Sequence, residues 1–195
     1  MSDVLLTPSQ TTGPFFHHGL LHANATRNVL TTAETVGQRI RIEGHVYDGD
    51  HVGVPDAIIE IWQADSEGHY YYPASRERKR PEDMNAFLGY GRSGTDANGA
   101  YWFETIKPGK VPFDGERMQA PHICIAVFGR GLLNHLLTRL YFAGEPENAD
   151  DPALRCVPLE RRERLLGRRE GSGADIIVYR FDIVLQGPGE TVFFR

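Results

Sequence analysis

Five short segments of this sequence hold side chains whose type and spacing could do chemistry. In His122-Ile123-Cys124, strand alternation would put imidazole and thiol on one face, where two donors can meet one metal ion. The same pair equally suits a hydrogen-bonded histidine beside a buried thiol. His69-Tyr70-Tyr71-Tyr72 follows the turn WQADSEG. Tyrosinate is a hard oxygen donor suited to Fe(III), and imidazole also suits iron. Tyrosines packed in a loop with one wet end give the same pattern. Gly129-Arg130-Gly131 sets a guanidinium between two glycines, where it can approach a ligand closely and match a carboxylate with two hydrogen bonds. A solvated arginine in a strand-end turn is the plainer account. Thr11-Thr12-Gly13-Pro14-Phe15 is a turn-like segment whose amides and hydroxyls can line a pocket. His17, His18 and His22 are closely spaced, but no further donor pattern supports a metal site, and exposed surface histidines explain them. No Ser/His/Asp order, phosphate-binding loop or dinucleotide fingerprint is present.

The elements that must position these residues are mostly strands. Arg39 to Asp48 alternates, with Ile40, Ile42, Gly44 and Val46 on one face, which predicts a half-buried strand. Further strands are expected over Val54 to Ala64, Tyr101 to Ile106, His122 to Phe128, Leu136 to Phe142 and Asp175 to Leu185. Asn98-Gly99 favours a tight turn before the second of these. The spacing of Leu159, Leu165 and Leu166 predicts a helix over Pro158 to Arg169, with a solvated Glu/Arg face rather than a nucleic-acid surface. Short strands with Gly/Pro turns point to an all-β chain: a β-sandwich core with an irregular N-terminal arm, long loops and one or two short helices. Residues 1–36 are expected to form the arm and residues 37–195 the sandwich domain. The irregular stretch Tyr70–Asn85 reads as a functional loop.

Composition narrows the function. The chain has 195 residues, within the ~100–200 of one domain. No stretch approaches the ~18 apolar residues of a membrane span, and the N-terminus lacks the features of a secretory signal. A net charge of -5 argues against bulk nucleic-acid binding. Cys124 and Cys156 are far apart, so neither a disulfide framework nor a structural zinc site is expected, and a reducing cytoplasm fits.

The motifs gain meaning in their order: TPSQTTGPFF, GHVYDGDHVGVPDAIIEIWQADSEGHY, GRSGTDANGAYWFETIKPG, APHICIAVFGRG, TRLYF and YRFDIVLQGPGETVFF. From about Thr7 to Phe194 the chain resembles the intradiol ring-cleaving dioxygenases, most closely a metal-free alpha-type chain. The resemblance implies a β-sandwich and, in catalytic chains, a non-haem Fe(III) held by two tyrosines and two histidines. Those positions fall here on Tyr70, Val111, His122 and Cys124, so two of the four donors are lost. Val111 has no donor atom and a soft thiol suits Fe(III) poorly, so no iron is expected in this chain. The resemblance further implies a beta-type partner subunit that carries Fe(III), with protocatechuate and O2 as the substrates of the pair. Thr11, Gly13, Pro14 and Arg130 are then the substrate-binding residues of this chain, and none is catalytic. Three readings compete: a subunit for assembly only, an independent iron enzyme with a donor recruited from His69, Tyr71 or Tyr72, and a ligand-binding sandwich with no oxygenase partner.

Overall fold

The computed structural model describes residues 7–70, 87–172 and 176–194. Alternation sets its strands. β1 (Arg39–Tyr47) buries Ile40, Ile42, Gly44 and Val46 and turns the residues between them outward, as its period of two predicts. The chain continues through β2 (Ile58–Trp62), β3 (Tyr90–Gly94), β4 (Ala100–Ile106), the two-residue strands β5 (Val111–Pro112) and β6 (Met118–Gln119), and β7 (His122–Phe128). β8 (Leu136–Phe142), β9 (Leu166–Ser172), β10 (Ile177–Arg180) and β11 (Ile183–Val184) complete the strands. Helices are short: α1 (Phe16–Leu20), α2 (Pro152–Arg155) and α3 (Leu159–Arg162).

Two sheets result. One runs β3-β2-β7-β8, and the other places β10 and β11 along one edge of β1 and β4 along the opposite edge. β9 joins them, antiparallel to β10 and parallel to the end of β8 through Tyr141–Leu166 and Phe142–Gly167. Their inner faces share one core, with Ile40, Ile42 and Phe103 from one sheet meeting Ile59, Ile61, Ile123, Ile125 and Leu140 from the other. A smaller cluster of Ala120, Tyr141, Leu154, Val157, Leu165 and Val192 packs separately. Because Leu140 belongs to the main core and Tyr141 to this cluster, the cluster lies on the outer face of β8.

The expected strands form, and three differences have local causes. The segment predicted as one helix over 158–169 is helical only at Leu159–Arg162; a 3-10 turn covers Glu163–Leu165, and β9 starts at Leu166. Pairing of Arg168 to Glu170 with β10 overrides the local helix propensity. The run expected over 175–185 splits at Phe181-Asp182. There Tyr101 donates to the Phe181 carbonyl at 2.6 Å, and the Asp182 carboxylate accepts the His45 N–H at 2.9 Å. This rearrangement needs Gly44, because a Cβ there would lie 1.8 Å from the Phe181 oxygen. Asp175 itself lies outside the described residues. The Asn98-Gly99 turn forms as predicted, with Asp96 accepting from the Asn98 and Ala100 amides. It carries the chain from β3 in one sheet to β4 in the other rather than closing a hairpin. The N-terminal segment is partly bound to its own domain: Arg27 exchanges backbone hydrogen bonds with Arg92, and Leu30 donates to Glu104.

Candidate functional site

Tyr70, Val111, His122 and Cys124 come from three parts of the chain, and backbone contacts set two of those parts side by side. The Asp65 carboxylate accepts the Glu67 and His69 amides, shaping the turn before Tyr70. Gly68, at φ +88°, lies so close to Lys110 that a Cβ would sit 1.9 Å from its carbonyl oxygen. Gly109 donates to the Asp65 carbonyl at 2.8 Å. The Tyr70 loop therefore rests directly on the segment that leads into Val111. His122 and Cys124 are two residues apart on β7, on the face opposite Ile123 and Ile125, as alternation predicts.

These side chains are occupied with packing. Tyr70 stacks on Trp62 with ring centres 6.1 Å apart. Val111 is 2% exposed. His122 is 3% exposed, and its Nδ1 lies 2.8 Å from the Ala120 carbonyl, which holds Nδ1 as the protonated nitrogen. Burial, reinforced by the nearby Arg139 charge, pushes its pKa down to about 4, so the ring is neutral near pH 7. Burial also pushes the Cys124 thiol up, away from the thiolate form that binds metals. A hydrocarbon, a neutral imidazole, a protonated thiol and one tyrosine do not make the hard anionic donor set that Fe(III) requires. The residues present do not fit the metal.

Beside them lies a network that sequence reasoning missed. Asp151 is fully buried; its carboxylate accepts the Ala120 amide at 2.8 Å, the Leu154 amide at 2.7 Å and the Tyr141 hydroxyl at 2.9 Å. Arg139 donates to Gln119 at 2.8 Å and to the Tyr141 hydroxyl at 3.3 Å. The available signals were Asp151-Pro152, an N-cap followed by proline at the first helical position, and the outward phase of Arg139 on β8.

The arm and the β7–β8 turn form a second assembly at the surface. The Gly131 amide donates to the Thr11 hydroxyl at 2.7 Å, the Thr12 hydroxyl donates to the Gly129 carbonyl at 3.2 Å, and Ser9 donates to Asn134 at 3.2 Å. The sequence-predicted residues Thr11, Gly13, Pro14 and Arg130 are thus brought to one exposed place. Arg130 donates at 2.6 Å to Asp56, a residue held in the left-handed region at φ 63°. Phe15 is 78% and Leu133 61% exposed in the same neighbourhood. His69 stays exposed, with carboxylates of Asp65 and Glu67 each 3.7 Å away, while Tyr71 and Tyr72 lie outside the described residues. His18 and His22 are exposed, and His18 lies beside Phe15 with ring centres 6.0 Å apart; for His17 the structure gives only its backbone place in α1. Both cysteines are free, and no described helix is long and apolar enough to cross a membrane.

Similar proteins give these places a context. A family model described as Dioxygenase matches residues 11–187. The chain is 40% identical over 202 residues to the protocatechuate 3,4-dioxygenase alpha chain of Burkholderia cepacia, covering all of this chain and 99% of that one. It is 36% identical over 185 residues to the beta chain of the same organism, covering 91% of this chain and 77% of that one. Among solved structures, the dioxygenase domain of a dioxygenase–carbohydrate-binding protein fusion from Streptomyces sp. SirexAA-E aligns with a TM-score of 0.63 at 29% identity, over 93% of this chain and 99% of that one.

Proposed function

The chain belongs to the intradiol ring-cleavage dioxygenase family, and on that premise we propose that it is the metal-free alpha-type subunit of a two-chain enzyme that cleaves protocatechuate. A beta-type partner carries the Fe(III), and the pair converts protocatechuate and O2 to 3-carboxy-cis,cis-muconate in the cytoplasm. This chain shapes the substrate pocket at the interface. The observation that carries the reading is the pinning of the Thr11–Thr12 turn to Gly129 and Gly131, which fixes arm and Arg130 loop as one surface. Arg130 keeps hydrogen-bond donors for a substrate carboxylate, because a guanidinium has five N–H donors and Asp56 takes one. Gly13 and Pro14 offer backbone that an aromatic ring can approach without a side chain intervening. Phe15 and Leu133, exposed here, pack against the partner chain and exclude water from the shared pocket. Orientation and charge complementarity, rather than a chemical step, are the contribution of this chain.

Iron content and visible absorption, measured on this chain alone and after coexpression with a beta-type chain, test the reading. The chain alone is expected to be colourless and iron-free, and the coexpressed pair coloured and active on protocatechuate. Colour and ring cleavage from this chain alone would overturn it and send the search for a donor to the His69–Tyr72 segment.

A further inference from the structure

Away from the arm and from β7, a small polar cavity of about 180 Å3 lies where β9 and β10 meet the last residues of the chain. Strand register builds one wall. Arg180 follows the core residue Tyr179, so alternation turns it to the outer face of its sheet, and Arg168 of β9 stands directly opposite it. Arg164, in the 3-10 turn that leads into β9, supplies a third guanidinium. Gly189 and Thr191 line the other side. The volume falls below the roughly 300–1,000 Å3 usual for small organic ligands and suits a small ion.

Like charges directly opposite on neighbouring strands repel, and here the repulsion is only partly answered. Arg180 is matched: its Nε donates to Asp182 at 3.0 Å and its Nη2 to His45 Nδ1 at 2.7 Å. Arg168 is exposed and makes no side-chain hydrogen bond or ion pair among the described residues. Arg164 donates to the Glu190 carbonyl at 3.0 Å and pairs with no carboxylate of the described residues. Thr191, 2% exposed, accepts the Val184 amide at 2.9 Å, so its own hydroxyl proton remains to be donated. Against the three guanidiniums stand two carboxylates. Asp182 is engaged by Arg180 and by the His45 amide, and Glu163 is exposed without a cation partner among the described residues. We propose that this cavity binds a free tetrahedral oxyanion of the phosphate class, held by Arg164, Arg168 and Arg180 with the Thr191 hydroxyl as a fourth donor. Guanidiniums take such oxygens through paired hydrogen bonds, and a divalent anion between Arg168 and Arg180 turns their repulsion into shared attraction. Glu163 opposes the anion and keeps the affinity in the millimolar range. The bound ion ties β9 and β10 to the last residues of the chain. The site needs neither iron nor the partner chain, so it stands or falls separately from the subunit reading.

The test is an amide NMR titration of the full chain with inorganic phosphate at constant ionic strength, with chloride as the reference anion. Saturable shifts are expected at the Arg168, Gly189 and Thr191 amides. Arg168→Gln removes no contact of the fold and should weaken binding at least fivefold. Glu163→Gln should tighten it, a gain that a damaged fold would not give. Arg169→Gln removes the same charge from the next position of β9, which alternation turns to the other face, and should leave the affinity unchanged. Glucose 6-phosphate carries the same group on a body too large for the cavity and should bind at least fivefold more weakly. Shifts no larger than those with chloride, or equal losses in Arg168→Gln and Arg169→Gln, overturn the proposal. Glucose 6-phosphate binding as tightly as phosphate overturns the assignment to a free ion.

Discussion

Two regions of this chain, the β7 segment with His122 and Cys124 and the arm with its Gly129–Gly131 turn, are built in opposite ways. Along β7 and in the segments beside it, His122, Val111 and Asp151 are buried, while Tyr70 and Cys124 are half-buried. At the arm and the Gly129–Gly131 turn, the contacts are single hydrogen bonds between exposed or half-buried groups. The first region has become structure: Val111 packs, His122 serves the Ala120 carbonyl, and Asp151 ties β8 to α2. The second contributes little to stability and leaves its side chains at the surface. His122 and Asp151 keep hydrogen-bond partners because a buried polar group without one costs about 1–3 kcal/mol.

The comparison can be broken most directly at Asp151. Asp151→Ala leaves the Ala120 amide, the Leu154 amide and the Tyr141 hydroxyl without their acceptor. Urea unfolding should show a loss of about 3–5 kcal/mol. A loss under about 1 kcal/mol would mean that this face is not the structural element argued here. His122 sharpens the same point through pH. Its folded pKa, about 4, lies below its ordinary 6.5, so the unfolded chain takes up a proton that the folded chain refuses. The stability contribution is full above pH 6.5 and declines as pH falls towards 4, by about 1.4 kcal/mol per unit and ~3 kcal/mol in all. Urea midpoints between pH 7 and 4 should fall less steeply in His122→Gln than in the unaltered chain. Parallel curves would show that His122 is not held neutral.

At the surface region the effect moves from stability to function. Arg130→Ala removes an exposed ion pair with Asp56, which should change stability by under about 0.5 kcal/mol. In the assembled enzyme it should raise KM for protocatechuate roughly tenfold, which is about 1.4 kcal/mol of lost binding, with kcat less affected. An unchanged KM would leave this chain a subunit for assembly alone.

The sandwich was legible because burial alternates with a period of two: Ile40, Ile42 and Val46, then Ile123, Ile125 and Val127, are core residues in both sequence pattern and structure. The shared face of His122 and Cys124 followed from the same rule. What stayed hidden depends on distant partners. Pro158 to Arg169 reads as a helix until β10 claims Arg168 to Glu170. Phe181-Asp182 breaks a strand only because Gly44 and Tyr101 lie beside it. Arg139 lies in TRLYF and Asp151 outside every motif, and only the folded chain places Tyr141 between them.

The smallest effect tests whether the arm is held as loosely as its contacts suggest. Thr12 reaches the Gly129 carbonyl at 3.2 Å, a long hydroxyl bond at a half-buried position. Such a bond contributes about 0.5 kcal/mol or less, since both groups can turn to water when it breaks. Thr12→Val keeps the shape and removes the donor, whereas Thr12→Ser keeps the donor. Stability should drop by at most about 0.5 kcal/mol in the valine variant and stay level in the serine variant. Hydrogen exchange at the Gly131 amide, held by the neighbouring Thr11 hydroxyl, should quicken only in the valine variant as the turn loosens. If valine instead costs as much as Asp151→Ala, arm and sandwich unfold as one unit. The contrast between a structural face and an outward-facing one would then fail.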